Sequence, residues 1–249
     1  MKRTLALLLT LLPCLTFGQS MAAHHGAAGA LRLDSAPASP IGWWRCNTDP
    51  ASYTPWGIKD ESANANNAVQ SSSANRPTYT ATSGGYVTSD GNDFADAGEG
   101  GGLFDFTSAY TITAWIYLPA ADEAAIVEKG YFTSTGGYML RVNGTNVAMY
   151  VRKANRSSAP IATGAWQHVV GKWDGASTYI YINGAEKDKD AFAFAPTDTT
   201  NTLQIARYSP TFALAASLSD IRVYNVSLSA AAIMEMYMAE PTVAAGGKR

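Results

Sequence analysis

The sequence predicts an all-β fold, an antiparallel sandwich with a short C-terminal helix. From residue 41 to residue 237, short β-rich runs alternate with turns rich in Gly, Asn, Asp, Ser and Pro. Two of these turns, Asp174-Gly175 and Asn183-Gly184, are strong hairpin signals, because both residue types accept the positive φ of tight turns. Helical periodicity is almost absent from this region, which indicates a single antiparallel sandwich.

The strands follow from the two-residue alternation of apolar side chains. Alternation predicts that Ile112, Ala114 and Ile116 face the core, as do Ile180 and Ile182. Burial of one large apolar side chain stabilises a fold by roughly 1.5–3 kcal/mol, so these strands support an ample core. The predicted strands are Gly85–Val87, Tyr110–Leu118, Ala125–Lys129, Tyr138–Val142, Val147–Lys153, Gln167–Trp173, Thr178–Ile182, Thr202–Ala206 and Ser219–Tyr224.

The C-terminal helix is predicted from its start signal and its apolar side chains. Ser229 is a preferred N-cap residue, and Ile233, Met236 and Tyr237 follow it. We therefore expect one to three helical turns that end near Met238.

The first twenty residues have the layout of a secretory signal peptide. A basic start precedes an apolar run from Thr4 to Leu15, and small residues follow at Gly18 and Ser20. The run is shorter than the ~20 apolar residues that a membrane-spanning helix needs. The protein is therefore expected to be secreted, with no membrane insertion after signal cleavage. The expected organisation is a signal peptide at 1–20, a flexible leader at 21–40, the sandwich domain at 41–240 and a disordered tail at 241–249.

The charge and the cysteine content limit the classes of binding partner and the disulfides that the chain can form. Without Lys2 and Arg3 the chain keeps 18 − 2 = 16 basic residues against 20 acidic ones, a net charge of −4. This balance argues against nucleic acid as a partner. Loss of Cys14 with the signal leaves Cys46 alone, so no intrachain disulfide can form. Cys46 is interpreted as a small buried hydrophobic residue.

A succession of short motifs resembles the concanavalin A-like lectin/glucanase superfamily, specifically its laminin G-like and pentraxin-like domains. The resemblance covers Ile41 to Met238. It implies a jelly-roll sandwich of two curved antiparallel sheets that binds glycans or proteins without catalysis, often with a calcium ion. The motifs are DESANANNA (60–68), SDGNDFADAG (89–98), YTITAWIYLP (110–119), IVEKG…GGYMLRV (126–142), WQHVVGKWDG…YIYING (166–184) and LSDIRVYNVSLSAAAI (218–233).

The sequence argues against an enzyme. Glucanases of this fold carry Glu-x-Asp-x-Glu on one strand with apolar residues between the acids, which act as acid and nucleophile. The nearest match, residues 186–190, has lysines between its acids, so we interpret it as a solvated charge cluster. His168 is interpreted as structural, because no catalytic arrangement can be assembled around it.

A structural calcium ion is the cofactor that the resemblance suggests. In related folds an acidic residue at the position of Asp220 helps to hold calcium, which needs six to eight oxygen ligands. Asp49, Asp60 and Asp90 are candidates for further ligands. The alternative for Asp60 and Asp90 is a turn role, in which each side chain bonds its own backbone. Residues 207–210 lack the carboxylates of the pentraxin calcium loop.

The candidate carbohydrate site consists of tyrosines and arginines predicted on the strand faces away from the core. Sugar rings stack their apolar faces on aromatic rings, while their hydroxyls need polar partners. If strands 147–153 and 178–182 share a sheet, these side chains form one platform; alternatively, the tyrosines are there as good strand formers. The rim loops 131–137 and 207–212 are further contact candidates. The predicted platform residues are Tyr150, Tyr179, Tyr181, Arg141 and Arg152.

Two hypotheses of function follow. The first is an exported, non-catalytic laminin G-like module that binds a glycan, a polysaccharide or another surface polymer. The second is a structural or adhesive subunit, in which the same surface contacts surface proteins in a cell-surface or particle assembly.

Overall fold

The computed structural model of the protein describes residues 38–130, 136–197, 200–209 and 211–239. The predicted signal peptide, most of the predicted leader, the predicted tail and most of the rim loop 131–137 lie outside these residues.

The described residues form eighteen strands, four short 3-10 helices and one α-helix. The 3-10 helices are Pro50–Ser52, Ser73–Asn75, Thr82–Gly84 and Gly100–Gly102, and the α-helix, α1, is Ala230–Met238. The strands are β1 (Gly42–Trp44), β2 (Gly57–Ile58), β3 (Ala68–Val69), β4 (Thr78–Thr80), β5 (Tyr86–Asp90), β6 (Ala95–Asp96), β7 (Tyr110–Tyr117), β8 (Ala125–Lys129), β9 (Tyr138–Asn143), β10 (Asn146–Val151), β11 (Ala154–Pro160), β12 (Trp166–Trp173), β13 (Ser177–Ile182), β14 (Ala185–Ala191), β15 (Leu203–Ile205), β16 (Arg207–Ser209), β17 (Phe212–Ala213) and β18 (Ala215–Tyr224).

Two eight-stranded sheets make up the sandwich, and the predicted fold class is confirmed. Sheet A has the order β14-β13-β12-β7-β18-β5-β4, with β1 paired to β18. Sheet B has the order β11-β10-β9-β8-β15-β6-β3-β2. All neighbouring strands are antiparallel, and β16 and β17 form a separate small hairpin.

The core lies between the two sheets and follows the predicted alternation. Ile112 of sheet A and Leu140 of sheet B are fully buried in one continuous apolar cluster. Trp173 and Cys46 belong to the same cluster, as the sequence predicted. The core also contains the side chain of Lys129, whose Nζ lies 2.6 Å from Oδ1 of Asp105.

Each of the nine predicted strands overlaps an observed one, and nine further strands were not predicted. Several of the missed strands are only two or three residues long, too short to show alternation. The segment 186–190, predicted to be a solvated charge cluster, lies in β14 at the edge of sheet A with most side chains exposed. Charged side chains at a sheet edge oppose pairing with another chain.

Helix α1 packs on the outer face of sheet A. The side chain of Ser229 accepts a hydrogen bond of 3.1 Å from the backbone N of Ala232, so the predicted N-cap is present. Ile233 of the helix is fully buried against Val170 and Tyr224 of the sheet. Within the described residues, no helix has the length and hydrophobicity needed to cross a membrane.

Candidate functional site

Arg141 and Tyr150 lie side by side on the outer face of sheet B. Their neighbours Leu140, Val142 and Met149 point into the core, so alternation directs Arg141 and Tyr150 to the opposite face. Ala148 is paired with Arg141 in the register of β9 and β10, which places Tyr150 one diagonal position away.

The β16–β17 hairpin lies over the outer face of sheet B, next to Arg141 and Tyr150. Tyr208 packs against Ala125 and Met139, which lie on the same outer face. Its ring stacks on that of Phe212, with ring centres 5.0 Å apart and planes inclined by 16°. The predicted rim loop 207–212 therefore does approach the predicted strand residues, although it is a hairpin.

The four side chains form a continuous stack, which we call the Arg141 stack: Tyr150, Arg141, Tyr208 and Phe212. Cζ of Arg141 lies 5.2 Å from the ring centre of Tyr150 and 4.9 Å from that of Tyr208. A guanidinium between two aromatic faces is attracted to both. Phe212 at one end of the stack is exposed, and Tyr150 at the other end is half-buried.

Polar groups surround the stack. Nδ2 of Asn143 donates to the hydroxyl of Tyr150 over 3.3 Å. Arg141 donates from Nε to the carbonyl of Val142 over 3.0 Å, and its Nη2 lies 4.0 Å from Oε2 of the exposed Glu123. Burial raises the pKa of Tyr208, and the charge of Arg141 partly opposes this shift. The group therefore combines aromatic faces with hydrogen-bonding groups, as a sugar ligand requires.

The expected single platform is wrong, because Tyr150 and the pair Tyr179 and Tyr181 lie in different sheets. Tyr150 is on β10 of sheet B, whereas the other two are on β13 of sheet A. All three do point away from the core, but they point to opposite sides of the sandwich.

Tyr181 is also not open: it is 2% exposed, because α1 and the segment before it cover this part of sheet A. Its hydroxyl donates to Oε2 of Glu186 over 2.8 Å, and burial, reinforced by Glu186, raises its pKa. Tyr179 is half-buried and donates to Oδ2 of Asp174 over 2.6 Å. Nζ of Lys172 lies 4.5 Å from the ring of Tyr179 and donates to the carbonyl of Leu228 over 2.9 Å.

Arg152 does not lie on a strand face as predicted. It has φ of 53° and Lys153 has φ of 59°, so both residues form the turn between β10 and β11. Arg152 is exposed, and its Cζ lies 5.8 Å from the ring centre of Phe194. The turn therefore separates Arg152 from the Arg141 stack.

The four aspartates predicted as calcium ligands do not form one site. Asp220 accepts two hydrogen bonds from Arg222, at 2.9 and 2.8 Å, and a third of 2.6 Å from Nε1 of Trp43. Asp60 and Asp90 accept from backbone N–H groups two residues ahead, which is the turn role considered as the alternative. Asp49 caps a 3-10 helix. In the described part of the chain, no group of three or more His, Cys, Asp or Glu residues could hold a metal ion.

His168 is buried on the outer face of sheet A beneath α1. Its ring centre lies 5.4 Å from that of Trp115 and 6.4 Å from that of Tyr237. Burial lowers its pKa from 6.5 to about 4, so the imidazole is neutral near pH 7. The packing agrees with a structural role, although the sequence did not predict the contact with the helix.

Sequence reasoning missed Asn143 and did not single out the rings of Tyr208 and Phe212. The signal available for the two rings was their place in the predicted rim loop 207–212, which follows a predicted strand. A loop in sequence does not reveal which strand it covers, so the pairing of Tyr208 with Arg141 could not be read from it.

Comparison with known proteins places the chain in a family. A family model of the laminin G type, described as concanavalin A-like lectin/glucanases superfamily, matches residues 81–234. No curated protein matches the chain.

Solved structures show the same fold at low sequence identity. The botulinum neurotoxin serotype G binding domain matches with a TM-score of 0.62 and 12% identity, covering 80% of this chain and 51% of that one. Domain 4 of AbnA, a GH43 extracellular arabinanase from Geobacillus stearothermophilus, in complex with arabinotriose, matches with a TM-score of 0.59 and 12% identity, covering 81% of this chain and 100% of that one. The binding domain of Paraclostridial Mosquitocidal Protein 1 matches with a TM-score of 0.60 and 12% identity, covering 81% and 52%. This chain thus spans about half the length of the two toxin binding domains.

Proposed function

Because this chain belongs to the concanavalin A-like lectin/glucanases superfamily as a laminin G-like protein, we propose that it is an exported, non-catalytic module that binds carbohydrate through the Arg141 stack. The observation that carries the proposal is the stack itself. It combines an exposed phenylalanine ring with two tyrosine rings that contact one guanidinium, and an amide and a carboxylate border it.

The stack suits a sugar ligand because its rings are fixed before binding. Tyr208 is buried against the sheet and Phe212 stacks on it, so little side-chain freedom is lost when a ligand contacts Phe212. The structural likeness to a domain solved with arabinotriose supports a saccharide as the ligand class. The likeness to two toxin binding domains supports a recognition role in general.

The test is glycan binding by the purified protein and by variants of the two rings at the ends of the stack. A panel that includes arabinan, xylan and β-glucan oligosaccharides identifies a ligand, and titration calorimetry gives its affinity. Tyr150→Ala and Phe212→Ala should each weaken binding at least about tenfold, which corresponds to 1.4 kcal/mol. Titrations with calcium and with a chelator examine the predicted ion in the same experiment.

Phe194→Ala is the matched control, because Phe194 is an exposed phenylalanine outside the stack. It should bind as the unmodified protein does. If the Tyr150 and Phe212 variants fold and also bind normally, the stack is not the site. If no glycan binds and the protein associates with increasing concentration in light scattering, the adhesive-subunit hypothesis replaces this one.

A further inference from the structure

A second aromatic surface lies on the opposite face of the sandwich, on the outside of sheet A. Pairing of five neighbouring strands, β12, β7, β18, β5 and β4, brings one residue from each into a single row. The row, which we call the Trp166 row, consists of Trp166, Tyr117, Ser217, Thr88 and Thr78.

The rings in this region meet across the row. The ring centre of Trp166 lies 6.0 Å from that of Tyr117 and 5.4 Å from that of Tyr86, a residue of β5. Strands β12 and β5 are three positions apart, or about 14 Å at the usual strand spacing. The Trp166 and Tyr86 side chains therefore extend toward each other across β7 and β18.

Helix α1 covers the part of sheet A beside the Trp166 row and does not extend over the row itself. Tyr237 of the helix packs on Trp115, with ring centres 5.9 Å apart, and Trp115 is 2% exposed. Tyr86, Tyr117 and Trp166 are each only half-buried. The helix thus shields one tryptophan of this face and leaves the next one accessible.

The row contains no charged side chain. Its polar groups are hydroxyls, and Oγ of Ser217 lies 2.8 Å from Oγ1 of Thr88 in a hydrogen bond. Ring pairs inclined by 69° and 55° form an uneven apolar surface beside these hydroxyls. An uncharged surface of rings and hydroxyls complements a ligand with apolar C–H faces and neutral hydroxyls, and offers nothing to a polyanion.

We propose that the Trp166 row is a second carbohydrate site, specific for neutral glycans, so that one molecule engages two glycan chains from opposite faces. The Arg141 stack contains a cation and lies on sheet B, whereas the Trp166 row is neutral and lies on sheet A. The two sites are therefore independent in position and differ in chemistry. Binding at the Trp166 row does not require binding at the Arg141 stack, whereas the engagement of two chains rests on the proposed function.

The test uses neutral oligosaccharides of the arabinan, xylan and β-glucan types, with oligogalacturonate as the anionic probe. Affinities are measured for the unmodified protein, for Tyr150→Ala/Phe212→Ala, for Trp166→Ala and for the triple variant. Removing the stack should leave a neutral-glycan site that Trp166→Ala weakens at least tenfold. The unmodified protein should also cross-link a soluble neutral polysaccharide, seen as turbidity, and either set of changes should abolish it.

Trp166 is half-buried, so its loss carries a risk to folding, and a second measurement uses the unmodified protein. The indole N–H resonance of Trp166, assigned with Trp166→Phe, should shift on addition of the neutral oligosaccharides and not with oligogalacturonate. The proposal is overturned if that resonance is unmoved and Trp166→Ala binds normally. It is also overturned if Tyr150→Ala/Phe212→Ala removes all binding, a result that would leave the proposed function intact.

Discussion

The guanidinium of Arg141 lies between the rings of Tyr150 and Tyr208, with Cζ 5.2 and 4.9 Å from their centres. Tyr150 belongs to a strand of sheet B and Tyr208 to a separate hairpin. Arg141 therefore links the hairpin to the sheet through its contacts with both rings.

Arg141→Lys is expected to weaken this link while keeping the charge. A lysine cannot place a planar group against two rings at once, and each desolvated cation–π contact is worth roughly 1–2 kcal/mol. The free energy of unfolding should fall by about 1–2 kcal/mol, and glycan affinity should fall with it. Chemical denaturation and calorimetry measure the two effects. Equal stability of the lysine variant would show that charge alone holds the hairpin.

The free energy of unfolding should decrease at acidic pH because of His168. Burial lowers its pKa to about 4, whereas an unfolded histidine titrates near 6.5. The unfolded state therefore binds a proton first as the pH falls, so stability is lost between pH 6.5 and pH 4. Asp220 favours and Arg222 opposes protonation, but burial dominates both.

The expected loss from this histidine is about 2–3 kcal/mol between pH 7 and pH 4.5. His168→Phe keeps an aromatic ring against Trp115 and Tyr237 and removes the titrating group. The difference in unfolding free energy between the two pH values should shrink by that amount in the variant. An unchanged difference would mean that other groups cause the acid sensitivity.

Removal of one partner of the Lys129–Asp105 ion pair should lower the free energy of unfolding. Lys129 is 0% exposed, with Nζ 2.6 Å from the carboxylate, so Asp105→Ala removes a charged partner of a buried ammonium group. A loss of about 1.5–3 kcal/mol is expected, and adding Lys129→Met should recover part of it. Urea unfolding of both variants measures the loss and the recovery of stability.

An exposed pair provides the comparison for that experiment. Nζ of Lys59 lies 3.2 Å from Oε1 of Glu61, and both side chains are partly exposed to solvent. Glu61→Gln should therefore change stability by less than about 1 kcal/mol. Similar losses for Asp105→Ala and Glu61→Gln would contradict the importance of burial.

Gly85→Ala is expected to destabilise the fold by about 2–4 kcal/mol, from a strained backbone and a steric clash. Gly85 has φ of 94°, and an added Cβ would lie 2.3 Å from the carbonyl oxygen of Cys46. Gly101 has φ of 62° with nothing within 4 Å of an added Cβ. Gly101→Ala should therefore cost only about 1–2 kcal/mol. Thermal unfolding distinguishes the two, and equal costs would show that the backbone at Gly85 moves aside.

Much of the fold could be predicted from the sequence because its signals are local. Alternation in Tyr110–Leu118 and the N-cap at Ser229 act within a few residues, so both elements were placed correctly. The polar strand Ala154–Pro160 was missed because it is stabilised by its pairing with β10 and not by an apolar pattern of its own.

The candidate site could be predicted only in part. Arg141 and Tyr150 were both identified as outward-facing, and the structure brings them together. Tyr208 was reached only through its loop, and Tyr86, Tyr117 and Trp166 were not recognised as a group. Their proximity depends on the order of four strands in sheet A, which no local pattern specifies.

The sequence by itself determined which side chains turn away from the core, because strand alternation is a property of consecutive residues. Only the tertiary structure decided which of those side chains share a surface. Tyr150 and Tyr181 obey the same alternation, yet one lies on sheet B and the other lies buried beneath helix α1 on sheet A. Strand order and helix packing arise from contacts between residues far apart in the chain, and those contacts decided where the open aromatic surfaces of this protein lie.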